Sequence, residues 1–189
     1  MSIVSTTSSG RRRNSSLAFL QTQEATLAVF IVVLLVFLGI TAPAFMEMQN
    51  LQDVLVNASL PAIAAIGMTM VIVSKEIDIS IGSILAVCAI LSGNLAVLGV
   101  PVPLVILITL VVGGLMGALN GFLIAVTKIP SIIVTLGMLS FWRGLVIVVT
   151  KGEWVYNMPA AFQFAQRDIL GLAVPIWLMI ILVSVAAIW

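Results

Sequence analysis

VVGGLMGALNGFLIAVTKIPSIIVTLGMLSFWRGLVIVVTKGE, residues 111–153, reads as two apolar helices joined by a short turn at Lys128 to Pro130. In the first helix Gly113, Gly117 and Gly121 recur every four residues. At 3.6 residues per turn they form one ridge without side chains, which Gly114 and Ala118 widen. Such a ridge lets another helix approach closely. Asn120 stands on the same face, and an amide in an apolar helix needs either a partner helix or a water-lined route. The second helix starts at Pro130, where a missing N–H costs nothing, and carries small residues at Gly137, Ser140 and Gly144. Arg143 sits beside them. It precedes Thr150 by seven residues, ~10 Å along the axis, so its side chain can snorkel to the headgroups, pair with another residue or serve a pathway.

The composition around this stretch is 62% hydrophobic and 8% charged, with a mean hydropathy of +1.29, far from an ordinary soluble domain and diagnostic of an integral membrane protein. The expected fold class is all-α, a polytopic transmembrane helical bundle. Helices are expected at about 25–45, 58–74, 81–99, 104–126, 130–150 and 172–189, and the whole of 25–189 forms the membrane domain. Residues 1–24 are polar and Ser/Thr-rich, the pattern of a disordered arm. Arg11, Arg12 and Arg13 in that arm should hold the N-terminus in the cytoplasm. The apolar run after them is too long for a signal peptide and lacks a clear cleavage site.

The connections are also readable. Glu47 to Asn57 is a polar link in which Asn50 and Asp53 have the spacing of a helix cap and its third residue. Pro61 and Gly67 mark the following span as one that can kink or break. Ser80 or Asp78 is placed to cap the helix starting at Ile81, which holds Ser92, Gly93 and Asn94 in its interior. Lys151 to Leu170 is a long polar connection whose Trp154, Tyr156, Phe162 and Phe164 suit an interfacial belt. With the N-terminus inside, Lys75 and Lys128 join the arginines on the cytoplasmic side, and Lys151 and Arg167 fall outside, in keeping with the positive-inside rule.

Several classes are excluded. Without histidine there is neither a Ser-His-Asp set nor a histidine metal site, and Cys88, the lone cysteine, forms no intrachain disulfide. No metal or cofactor is expected, and the chain is not expected to be an enzyme. A net charge of +1 makes no case for nucleic acid. No Gly-x-x-x-x-Gly-Lys-Ser/Thr loop is present, so ATP is not handled by that chemistry.

GGLMGALNGFLIAVTKIPSIIVTLGMLSFWRGL followed by TKGEWV, together with the run Ile77, Asp78, Ile79, Ser80, Ile81, Gly82 and Ser83, resembles the two signatures of the ribose-type permeases of bacterial ABC sugar importers. The resemblance covers roughly residues 25 to 189. Where that family has glycines before the second signature, this chain has Lys75 and Glu76. The resemblance implies an inner-membrane permease subunit carrying a monosaccharide, fed by a periplasmic binding protein. A separate ATPase would drive it, and a second permease subunit, identical or different, would complete it. It also implies further membrane helices beyond residue 189, so the chain is expected to be a truncated gene product, a fragment or the first half of a split permease, and not to transport alone.

A sugar is uncharged and rich in hydroxyls, so amides, hydroxyls and aromatic faces suit its path better than fixed charges. On that ground Asn120, Thr135, Ser140, Trp142 and Arg143 are the pathway candidates, with Asn94 behind them. Gly113, Gly117, Gly121, Gly137 and Gly144 are helix-packing candidates, and Asp78, Ser80, Gly82 and Ser83 form a cytoplasmic turn. Asp78 either caps a helix there or pairs with a base such as Lys128. Two other readings stay open: a permease for branched-chain amino acids or nucleosides, and a transporter or scaffold outside the ABC class. The absence of an acidic residue in the middle of any expected span weighs against ion coupling.

Overall fold

The computed structural model describes residues 23–188. The arm carrying Arg11, Arg12 and Arg13, and Trp189 at the other end, lie outside the described residues. The helices among the described residues are α1 (Gln23–Thr41), α2 (Met48–Val73), α3 (Ile81–Val97), α4 (Val102–Thr127), α5 (Ser131–Thr150) and α6 (Val174–Ile188). Three of them, α2, α4 and α5, are long and apolar enough to cross a membrane by length and composition, and α1, α3 and α6 are shorter apolar helices. The protein is an all-α transmembrane protein.

Two compact units divide the chain, residues 1–51 and 52–189. In the first, a short 3-10 turn, Pro43–Met46, follows α1. The residues expected as a polar link over 47–57 instead form the first turns of α2, a single helix of 26 residues with Pro61 in its interior. Asn50 is not its cap. The helix has already begun at Met48, and the Asn50 amide donates back to the Phe45 carbonyl at 2.8 Å.

In the second unit α3 is the hub, packing most extensively on both α4 and α5, while α4 and α5 touch each other less. Gly113 is part of the reason. A β-carbon there would lie 3.2 Å from Cys88 Sγ, so the bare backbone lets α4 come close to α3. α4 and α5 both end on a lysine in the left-handed region, Lys128 (φ 56) and Lys151 (φ 55), a place usually taken by glycine. Each cation sits where the helix dipole is negative, which partly offsets the backbone cost.

Between α5 and α6 the chain makes a 3-10 segment, Ala160–Gln166, and a two-stranded antiparallel hairpin, β1 (Asp168–Ile169) and β2 (Leu172–Ala173). Its loop residues Leu170 (φ 53) and Gly171 (φ 80) both have positive φ, as a two-residue type I′ turn requires. Trp177 of α6 donates its indole N–H to the Ile169 carbonyl at 2.9 Å, and Gln52 of α2 donates to the Gly171 carbonyl at 2.9 Å. α6 therefore starts at Val174, two residues later than its apolar run suggests, because Leu172 and Ala173 pair in the hairpin.

Candidate functional site

The non-helical segment between α2 and α3 has polar backbone groups half-buried against α5. Ile77 N–H donates to Ser131 Oγ at 3.1 Å and Ile79 N–H donates to Thr135 Oγ1 at 3.2 Å. Residues four apart on a helix lie on one face and are separated by a rise of about 6 Å, so Ser131 and Thr135 offer two neighbouring hydroxyls to the two amides. Thr135 is fully buried. Its one proton goes to the Ser131 carbonyl at 2.8 Å, with the Ile77 carbonyl 3.3 Å away.

Asp78, between those two isoleucines, turns its carboxylate toward Ser80. Its Oδ1 accepts from the Ser80 N–H at 2.7 Å and from the Ser80 hydroxyl at 2.6 Å. Bonds to an ionised acceptor are the stronger kind, about 1.5–3 kcal/mol each. Asp78 thus bonds to Ser80 rather than to Lys128. Ser80, also fully buried, then accepts from Asn120 Nδ2 of α4 at 2.7 Å. The Ser80 hydroxyl is consequently diverted from the N-terminus of α3, which has no side-chain cap bond. Its carbonyl accepts from the Ser83 hydroxyl at 2.6 Å and from the amides of Ser83 and Ile84. Asn120 is 2% exposed, and its Oδ1 has no partner among the described residues.

A cavity of about 400 Å³ adjoins this network, with Ser74, Glu76, Asp78, Gly117, Asn120 and Gly121 in its wall. Gly117 and Gly121, read from sequence as packing positions, have no atom within 4 Å of an added β-carbon, and the same holds for Gly137 and Gly144. Within the described residues only Gly113 of that set meets a neighbouring helix.

The other candidates lie apart from the network. Arg143 is exposed and lines a cavity of about 290 Å³ with Gly82, Ser83, Ala86 and Leu139. Ser140 donates to the carbonyl of Leu136 in its own helix at 3.2 Å. Trp142 packs edge-on to Phe141, centroids 4.9 Å apart, and its indole N–H is buried without a partner among the described residues. Asn94 is exposed and borders a cavity of about 270 Å³ with Thr150, Glu153, Trp154 and Tyr156. Ser131 was not singled out from sequence. Its signal was its place four residues before Thr135, on the same helix face.

With both signature segments thus joined in space, comparison with known proteins places the chain. The family model described as "Branched-chain amino acid transport system / permease component" matches residues 50–189. The chain belongs to that permease family. It is also similar to the autoinducer 2 import system permease protein LsrC of Salmonella typhi, at 37% identity over 173 residues, covering 90% of this chain and 50% of the relative. The LsrC protein of Escherichia coli (strain K12 / DH10B) matches at 37% over 173 residues, with 90% and 51% covered. The corresponding protein of Salmonella choleraesuis (strain SC-B67) matches at 36%, with 90% and 50% covered. The chain spans about half the length of the curated relatives it matches. No solved structure matches it. The resemblance to ABC importer permeases drawn from the two motifs is borne out.

Proposed function

We propose that this chain forms part of the permease of an ATP-driven importer that carries a monosaccharide, or a related hydroxyl-rich solute, across the bacterial inner membrane. The carrying observation is the hydrogen-bonded chain Asp78–Ser80–Asn120, which ties the link between α2 and α3 to the glycine-ridged helix, while Ser131 and Thr135 tie the same link to α5. Three elements of the permease are therefore tied together at this end, the arrangement that a part driven from outside the membrane needs. α3 to α6 contain no Asp or Glu, which favours a motor outside the spans over ion coupling within them.

In this reading a separate ATPase supplies the energy, a periplasmic binding protein delivers the cargo, and a second permease subunit completes the path. The N-terminus lies in the cytoplasm, so Lys75 and Lys128 face inward and Lys151 outward. The relatives' names make autoinducer 2 the first cargo to test, and the family description keeps branched-chain amino acids as the second reading. The test is uptake by proteoliposomes holding the chain with its ATPase, its binding protein and the remaining permease segments. Accumulation of labelled ribose or autoinducer 2, but not leucine, is expected. Leucine uptake alone would replace the sugar reading with the amino-acid one.

A further inference from the structure

The cavity beside Asn120 measures about 400 Å³, within the roughly 300–1,000 Å³ of small-molecule sites. Its wall divides by chemistry. Gly117, Gly121 and Ile124 give it an apolar side on α4, and Ser74, Glu76, Asp78 and Asn120 supply oxygen atoms.

The bonds already made decide how those oxygens act. Ser80 has one hydroxyl proton, and Asp78 Oδ1 takes it, so Ser80 receives a proton from Asn120 and fixes which way the amide faces. Asn120 Oδ1 is thereby left as a buried acceptor with no partner among the described residues. The Ser74 proton is engaged by the Met70 carbonyl at 3.0 Å. Asp78 uses only Oδ1 in its two bonds to Ser80, and an ionised Glu76 only accepts. A ligand that fits this wall brings several O–H donors and carries no negative charge. It also has an apolar face for the bare surface of α4. An alkylammonium ion supplies the donors but concentrates them at one end, whereas a sugar ring has hydroxyls along its edge and C–H groups on its face.

We propose that this cavity is a binding site for a neutral polyol, whose hydroxyls donate to Asn120 Oδ1 and to the Asp78 and Glu76 carboxylates while its C–H face lies on Gly117 and Gly121. The inference rests on the permease reading and adds to it a place where the cargo is held. Gly121 makes the site testable without disturbing the network, because a β-carbon there meets nothing within 4 Å.

The experiment is saturation-transfer difference NMR with D-ribose on the full chain in lipid nanodiscs. A saturable signal is expected from the wild type. Gly121→Leu and Asn120→Leu should each weaken it at least ten-fold, and Gly114→Leu, at an open glycine outside this wall, should leave it unchanged. Circular dichroism of Gly121→Leu matching the wild type shows that its loss of signal comes from a filled cavity. Absence of a saturable signal in the wild type, or an unchanged signal in Gly121→Leu, overturns the site. Displacement of ribose by ethylammonium at equal concentration overturns the neutral-polyol assignment. A disulfide-linked dimer of Gly121→Cys in a Cys88→Ser background overturns it in favour of a second helix. Uptake by the complete importer is read in parallel. Retained uptake with unchanged ribose binding in Gly121→Leu rejects the site and leaves the permease reading standing, and absent uptake in the wild type rejects the reading itself.

Discussion

Val155 rests on Gly93: a β-carbon added to that glycine of α3 would lie 3.2 Å from Val155 Cγ1, and 3.3 Å from Met158 Cε. The segment after α5 thus folds back over α3 at a point where α3 has no side chain. Gly93→Val should push this segment away, at a cost of about 1–3 kcal/mol for overpacking. The check is the thiol-labelling rate of Val155→Cys in a Cys88→Ser background, which should rise several-fold when Gly93→Val is added. An unchanged rate would mean that the segment is held elsewhere.

Thr135→Val keeps the shape of the side chain and removes the acceptor of the Ile79 amide. A part-buried N–H without a partner costs about 1–3 kcal/mol, while Thr135→Ser should cost less than ~1 kcal/mol because the hydroxyl remains. Unfolding of the chain in detergent, with hydrogen exchange at Ile79, separates the two variants. Equal stability of valine and serine variants would show that the bond contributes nothing.

Ser80 links two residues that do not bond to each other, so their contributions should not add. In a double-mutant cycle Asp78→Ala and Asn120→Ala should show a coupling of about 0.5–3 kcal/mol, as expected for members of one hydrogen-bond chain. Additivity within the error of the unfolding measurement would break the chain into unrelated contacts.

Leu170 adopts φ 53 in the hairpin loop and is 89% exposed, so its side chain gains little for the backbone cost. Leu170→Asn should raise stability by about 1 kcal/mol, since Asn tolerates the left-handed region. A thermal midpoint below that of the wild type would show that Leu170 has a contact of its own.

In the complete importer Asp78→Ala should lower uptake while membrane insertion stays normal, because the charge on the Ser80 chain is lost and no span is altered. If the exposed Arg143 side chain snorkels, Arg143→Lys should retain uptake within about two-fold, because that role accepts lysine. A loss above ten-fold would reveal a bidentate partner for Arg143 on another part of the assembly.

The helical fold was legible because apolar runs of this length have few other solutions, and the boundaries shifted where local polar chemistry intervened. α2 continues without a break past Pro61 and takes in a link that composition marked as polar. The hairpin at Asp168 to Ala173 was hidden because its turn uses Leu170 where glycine or asparagine is the usual signal. At the site, the placement of Asn120 on a packing face was readable from spacing alone. The partner was not, since Ser80 is 40 residues away and looked like a cap. The glycine ridge shows the limit of pattern: spacing places Gly113, Gly117 and Gly121 in line, but only the fold shows that Gly113 meets Cys88 while the other two border a cavity.

Every bond that α5 makes to the link before α3 ends on the backbone of Ile77 or Ile79, whose side chains are 44% and 37% exposed. Substitution should therefore be freely accepted at those two isoleucines so long as the replacement stays apolar and is not proline. Saturation mutagenesis scored by uptake should return an alternating record along this stretch, permissive at 77 and 79 and strict at 78 and 80. The same strictness should reappear far along the chain at 120, 131 and 135.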